Sequence, residues 1–318
     1  MALITLCVLT RDAEHFLEYK RALGHAYHRG AFTLRNFLRY AAAQDRGREG
    51  IDLARTLRVW LARSPGRKPI SVAAELVTLR QFLLFRRRSD LTAFVPDHTW
   101  APPSTGSLFL PHIPTHDEIC RLIRLAMSAR HPLRAWTLRT ILTVLYCTGL
   151  RPGEAIRLDL ADVDLQARCL CIRESKGKTR FVPFGDDLAD VLRAYLRARS
   201  GVARSAGSGP LFVQPDGRAV SVPAAMNAIR GLLRRCCLKP PRGRVGPRPY
   251  DIRHAFAVHR LTAWYHAGID IHSRLPWLSA YMGHDDLLGT EVYLTATAEL
   301  LALAAERSER RYRGERSR

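Results

Sequence analysis

The stretch LRAWTLRTILTVLYCTGLRPGE, Leu133 to Glu154, decides the fold of the chain around it. Leu133 to Thr148 reads as an apolar helix. Gly149 is placed to end it, because glycine enters the left-handed conformation without a Cβ penalty. Arg151 follows that stop, so its side chain is presented from a turn into a cleft. Glu154 begins a short second helix and is placed to orient Arg151. The most apolar run, Leu138 to Leu150, contains Arg139 and is too short to span a bilayer. It is a core helix.

Downstream, Cys169–Arg173 and Arg180–Phe184 read as two strands joined by the tight turn Ser175-Lys176-Gly177-Lys178. Asp186–Arg199 is helical, and a Gly/Ser loop runs on to Gly209. Helices at about Pro223–Leu238 and Asp251–Ala267 flank Lys239–Pro249, which is rich in Pro, Gly and Arg. The chain closes with helical segments around Trp277–Met282, Thr290–Tyr293 and Ala298–Arg310. Upstream, Thr115 and Glu118 form a capping-box pattern that opens a domain over 115–318, with a basic C-terminal tail. Pro96, Pro102, Pro103, Pro111 and Pro114 surround a Ser-Thr-Gly stretch and read as a linker over 96–114 without regular structure.

Residues 1–95 carry helical periodicity at Asp12–Tyr27, Phe32–Ala43, Asp52–Ala62 and Ser71–Phe85. Ser71 is the expected N-cap of the last, with Leu76, Leu79, Phe82 and Leu83 on one face. That helix runs out into Arg86, Arg87 and Arg88, a basic end that suits either the helix dipole or a phosphate backbone. The expected fold class is mainly α with a small antiparallel β region (α+β), in two domains and without internal repeats.

The 318 residues suffice for two domains, and 47% apolar content excludes a wholly disordered chain. A net charge of +21 attracts a polyanion, most commonly nucleic acid; solubility or the arginine preference of a GC-rich genome would also produce it. Seven cysteines show no C-x-x-C spacing. Cys169 and Cys171 stand two apart, and Cys236 and Cys237 adjoin. They read as small buried hydrophobes in a reducing compartment, neither zinc ligands nor disulfides. Met1 to Thr10 is apolar but lacks a basic leader and a small-residue cleavage site, unlike a signal peptide. A soluble, cytoplasmic protein with no membrane partner is expected.

Four segments matter together: Thr148-Gly149-Leu150-Arg151-Pro152-Gly153-Glu154, Ser175-Lys176-Gly177-Lys178, Tyr250-Asp251-Ile252-Arg253-His254, and Gly283-His284 followed nine residues later by Tyr293. In this order and spacing they resemble the phage integrase, or tyrosine recombinase, family. The resemblance covers about Thr115 to Leu301, and the helical first domain is compatible with that family's core-binding domain. The run Asp270 to Leu301, with Tyr281-Met282-Gly283-His284 and Tyr293-Leu294-Thr295-Ala296, looks like recombinases of bacterial transposon-like elements.

The resemblance implies a site-specific recombinase in which Tyr293 attacks a DNA phosphate and holds a 3′-phosphotyrosine, conserving bond energy for religation without ATP, cofactor or metal. In-line attack places extra negative charge on the two non-bridging oxygens. Arg151 and Arg253 match the clamping arginines, whose fixed forks suit those oxygens. Glu154 would orient Arg151. Lys176 matches the general acid for the departing 5′ oxygen, and the Ser-Lys-Gly spacing favours it over Lys178. His284 matches the histidine that hydrogen-bonds the scissile phosphate.

One position departs from the pattern. Tyr250 stands where the His-x-x-Arg motif normally begins. A phenol donates a hydrogen bond to phosphate, but with an ordinary pKa of about 10 it is a poor base. His254, beside Arg253, reads as a structural support and not a substitute. The implied partner is double-stranded DNA, held by a homo-tetramer with or without related recombinases. Ala304 to Arg318 is either a segment exchanged between subunits or a solvated tail. A type IB topoisomerase uses a similar pocket as a monomer, and the transposon-like run argues against it. A non-catalytic DNA-binding accessory of a mobile element has only Tyr250 in its favour. The DNA target, and the choice among integration, excision and resolution, are not legible in periodicity.

Overall fold

The computed structural model describes residues 3–44, 50–64, 66–103, 112–175, 178–201, 209–243, 245–295 and 298–315. The chain forms two compact units, Met1–Phe109 and Leu110–Arg318.

The first unit is helical: α1 (Leu6–Ala22), α2 (His28–Gln44), α3 (Leu53–Ala62) and α4 (Pro69–Arg86). Thr5 caps α1 through its side chain, so that helix starts earlier than periodicity suggests. Asp52 caps α3 by accepting from the Arg55 backbone N–H at 3.0 Å. The N-cap of α4 is Lys68 and not Ser71, because Pro69 occupies the first turn, where its missing N–H costs nothing. The expected stripe Leu76, Leu79, Phe82 and Leu83 is buried, against Phe16, Leu34, Phe37 and Leu57. Within the Pro-rich stretch, His98–Trp100 make a 3-10 turn. Trp100 packs on Phe94, under the Arg58 guanidinium.

The second unit holds α5 (His116–Ala126), α6 (Pro132–Thr148), α7 (Pro152–Ile156), β1 (Val163–Asp164), β2 (Cys169–Ser175) and β3 (Lys178–Pro183). Then follow α8 (Asp186–Ser200), α9 (Val222–Arg235), α10 (Asp251–His266), α11 (Ile271–Met282), α12 (Leu288–Glu291) and α13 (Ala298–Glu315). The Thr115/Glu118 capping box forms and opens α5. Helix α6 is the centre of the core: Ile141, Leu142, Val144 and Leu145 are buried, each side chain stabilising by roughly 1.5–3 kcal/mol. Gly149 ends α6 with φ +60°, and a Cβ there would run into the Phe256 ring, so two constraints require glycine.

The sheet is antiparallel in the order β1-β2-β3, one short strand more than expected. Leu170 pairs with Val182, Ile172 with Arg180 and Ser175 with Lys178, with an irregularity between Ile172 and Ser175. Helix α11 starts six residues before Trp277 and contains Pro276. Ile271, Leu275, Leu278 and Met282 form its buried stripe, which offsets the proline defect. Tyr293 sits in a 3-10 turn, Val292–Thr295, beyond α12. None of the seven cysteines is fully buried: Cys7 and Cys237 are exposed and the others half-buried, contrary to the reading of them as core hydrophobes. They are free thiols. No helix among the described residues is long and apolar enough to cross a membrane.

Candidate active site

The site is built around the C-terminal end of α11. Gly283 closes that helix with φ +69°, and its missing Cβ leaves room for the Arg180 guanidinium, which would lie 2.6 Å away. Three arginines converge on the carbonyls that the helix end leaves unpaired. Arg253 donates to the Met282 carbonyl at 3.0 Å, Arg151 to the Gly283 carbonyl at 2.7 Å, and Arg180 to the Tyr281 and Met282 carbonyls at 3.2 Å each. His284 follows directly.

Arg253 comes from the first turn of α10 and is 1% exposed. Its other Nη donates to the Gly149 carbonyl at 2.7 Å, so the residue that stops α6 also receives the arginine 104 positions later. Burial pulls the Arg253 pKa down, and the Arg151 charge adds to that. Its Nε is buried without a partner, a donor still to be satisfied.

Arg151 occupies the N-cap position of α7. Glu154, buried, accepts from the Arg151 backbone N–H at 3.0 Å and from its guanidinium at 2.8 Å. The same carboxylate accepts from Arg180 at 2.8 and 3.3 Å. A single buried anion therefore fixes two cations, as expected for Arg151 and missed for Arg180. Strand alternation is the signal that would have found Arg180: it stands two residues from buried Val182 on the core face of β3.

Tyr293 is 3% exposed, and its hydroxyl lies 3.0 Å from His254 Nδ1. Burial raises the phenol pKa, and the Arg253 charge opposes that rise. The His284 ring stacks on Tyr293 at a centroid distance of 6.2 Å, while its Nδ1 meets the Thr290 hydroxyl at 2.6 Å. Burial, followed by the charges of Arg253 and Arg151, pushes the His284 pKa down to about 4. Thr290, fully buried, was also missed; a hydroxyl six residues past the histidine has no pattern that announces it.

Tyr250 is half-exposed at the start of α10 and packs edge-on against His254, with centroids 5.2 Å apart. It lines a cleft of about 910 Å³ together with Arg151, Arg157, Arg230, Arg234 and Arg248. Glu154 is the one acidic residue in that described lining, so the cleft suits an anion. Tyr293, His284 and His254 lie off its lining, so the cleft flanks the tyrosine and is not centred on it. Arg151, Glu154, Tyr250, Arg253, His254, His284 and Tyr293 are thus brought together. Lys176 lies outside the described residues, and only the flanking Ser175–Lys178 pairing is in view. Among the described residues no group of three His, Cys, Asp or Glu side chains is placed to hold a metal ion.

The phage integrase family profile matches residues 114–299. The Sinorhizobium fredii protein named integrase/recombinase y4rB is 33% identical over 94% of this chain and 96% of its own length. Tyrosine recombinase XerD of Mycobacterium tuberculosis is 30% identical over 73% of this chain and 71% of its own. Two solved structures share the fold. The Tn1549 transposon integrase in complex with transposon right end DNA is 16% identical, with a TM-score of 0.66 over 96% of this chain and 100% of that one. The lambda integrase tetramer bound to a Holliday junction is 17% identical, with a TM-score of 0.60 over 92% and 77%.

Proposed function

This chain belongs to the phage integrase family and is a tyrosine-type site-specific DNA recombinase, and we propose that Tyr293 is the nucleophile with which it breaks and rejoins DNA strands. One observation carries the assignment. Arg151 and Arg253, from segments a hundred residues apart in sequence, hold the successive carbonyls of Gly283 and Met282 beside His284, whose ring stacks on Tyr293. That convergence caps the end of α11 and at the same time gathers positive charge around a tyrosine, which is what supports the reading.

The arginines clamp the non-bridging oxygens of the scissile phosphate, where charge grows in the transition state. Both Arg253 Nη atoms are held by carbonyls and its Nε is buried, so the phosphate oxygen displaces one of those bonds when it enters. Glu154 acts through Arg151 by holding its fork. His284, kept neutral by burial and by both arginines, donates a hydrogen bond to the phosphate through Nε2, because Nδ1 is engaged with Thr290. Tyr250, at the rim of the basic cleft, donates its hydroxyl to the same phosphate. Lys176 protonates the 5′ oxygen that leaves.

The substrate is double-stranded DNA, in keeping with the charge of +21 and the basic cleft. The helical unit over residues 1–95 clamps the duplex, 96–114 link it to the catalytic part, and a homo-tetramer assembles on two sites. The work is done in the cytoplasm, with the DNA. The test is covalent trapping on nicked duplexes. Tyr293→Phe should keep DNA affinity and lose all covalent adduct, while the wild type should form adduct in EDTA. An adduct retained by the phenylalanine variant, or abolished by EDTA, refutes the assignment.

A further inference from the structure

Tyr293 has to lose a proton as it attacks, and the residue at the usual place for an assisting imidazole is a tyrosine. We propose that His254 is a catalytic residue, the group that receives the Tyr293 proton through Nδ1; this rests on Tyr293 being the nucleophile.

Geometry carries the assignment. His254 Nδ1 is 3.0 Å from the Tyr293 hydroxyl, within the range a proton acceptor needs. His284 stacks on the same ring but commits its Nδ1 to Thr290. The opposite edge of the His254 imidazole faces a carboxylate: Nε2 is 3.9 Å from Asp251 Oδ1. That distance is too long for a hydrogen bond, so Asp251 acts through its charge. Asp251 is itself 1% exposed and held by Arg248, whose backbone N–H donates to Oδ2 at 2.7 Å and whose Nη2 donates to Oδ1 at 2.8 Å.

The three groups Tyr293, His254 and Asp251 therefore lie in series. A carboxylate beside Nε2 favours the tautomer that carries its proton there, leaving the Nδ1 lone pair for the phenol. It also stabilises the imidazolium once the proton arrives. The groups around the ring act in both directions. Burial, Arg248 and Arg253 hold the His254 pKa down and keep it unprotonated at neutral pH, while Asp251 opposes them. Tyr250 covers the ring edge-on.

The step balances. As Tyr293 Oη bonds to phosphorus, its proton passes to His254 Nδ1. The bond from phosphorus to the 5′ oxygen breaks, and that oxygen takes the proton of the general acid, assigned to Lys176. In religation the 5′ hydroxyl returns its proton to the Lys176 amine as its oxygen attacks phosphorus, and the departing Tyr293 oxygen recovers its proton from His254.

The test uses the full chain. A random-sequence pool of nicked duplexes is offered to the wild type, and the duplex recovered as covalent adduct becomes the substrate for every variant. His254→Ala and His254→Asn should each form adduct ~100-fold more slowly at neutral pH with unchanged DNA affinity. Asparagine keeps an acceptor atom near the Nδ1 position but cannot take up the proton. Replacing Tyr293 by 3,5-difluorotyrosine, a more acidic phenol, should restore either variant about tenfold or more, because a phenol that gives up its proton more readily depends less on a base. If His254→Ala fails to fold, the asparagine variant carries the same comparison. Wild-type rates for His254→Asn, or no rescue by the fluorinated tyrosine in a folded variant, would make His254 a positioning residue and overturn the proposal. An adduct that survives Tyr293→Phe would remove the nucleophile assignment instead, a separate outcome.

Discussion

The two units of the chain treat buried charge in opposite ways. In the first, Leu34, Phe37, Leu57 and Phe82 make a dry core, and Arg63 and Arg67 pair with Glu75 at its margin. Arg86, on Asp12, is the one charged residue buried among those described there. The second unit buries Glu154, Asp162, Arg199, Lys239, Asp251 and Arg253. Burying a charge rarely maximises stability, since desolvation offsets much of the Coulombic gain. Two kinds of buried charge are present. Arg199 and Lys239 donate to backbone carbonyls of Pro210, Leu211 and Val245 and so hold loops. Glu154 and Asp251 instead organise other charged or titratable groups, Arg151 and Arg180 in one case, Arg248 and His254 in the other. Asp162 on Arg173, and Glu75 on Arg63 and Arg67, couple charges as well. It is coupling beside Tyr293 and His284, and not coupling or burial alone, that marks chemistry.

Glu154→Gln is the strongest way to break the contrast. It leaves two guanidiniums facing a neutral amide, and removal of a buried ionic partner costs about 3–5 kcal/mol. Denaturant unfolding should report that loss, and adduct formation should fall ~100-fold because Arg151 is no longer held. If both remain at wild-type values, Glu154 organises nothing.

Tyr250→Phe should act on chemistry alone. It keeps the edge-on packing against His254 and removes the hydroxyl, so adduct formation should slow by about ten- to a hundredfold with unfolding unchanged. Tyr250→His should restore or exceed the wild-type rate. A phenylalanine variant as fast as the wild type would leave Tyr250 as packing for the imidazole.

Acid should separate the units. His284 is held near a pKa of about 4, first by burial and then by Arg253 and Arg151, and His254 is also lowered by burial. The unfolded chain takes up those protons from about pH 6.5 downwards, while the folded chain resists them. Stability from these groups is therefore complete above about pH 6.5 and is lost as pH falls towards 4. In the first unit, burial would raise the Glu75 carboxyl, but Arg63 and Arg67 outweigh it and hold the pKa down. Its contribution is lost only at lower pH, as the carboxylate protonates. Hydrogen exchange followed against pH should show protection falling around α11 and the Tyr293 turn before α4. Simultaneous loss in both units would sink this ordering.

The smallest effect on chemistry belongs to Arg86→Ala. Losing its 2.7 Å charged hydrogen bond to Asp12 should cost the first unit about 1–3 kcal/mol. At saturating DNA the rate of adduct formation should not change. A slowed rate there would mean that the first unit contributes to the chemical step.

Local chemistry was legible in the sequence, because it is written within one or two helical turns. The apolar period of α6, its glycine stop and the Thr115 capping box depend only on neighbouring residues, and the structure contains all three. The order of the four segments points to the family by itself. The start of α4 is not legible in the same way, because Pro69 and Ser71 are both good opening residues and the periodicity does not choose between them. What the tertiary structure alone decided is pairing over distance. Arg180 meets Glu154 across 26 positions, Arg253 meets Gly149 across 104, and His254 meets Tyr293 across 39. Hydrogen bonds of that kind exist only after α6, β3, α10 and α11 have packed. The packing energy of those elements comes from apolar faces that say nothing of which polar atoms they bring together.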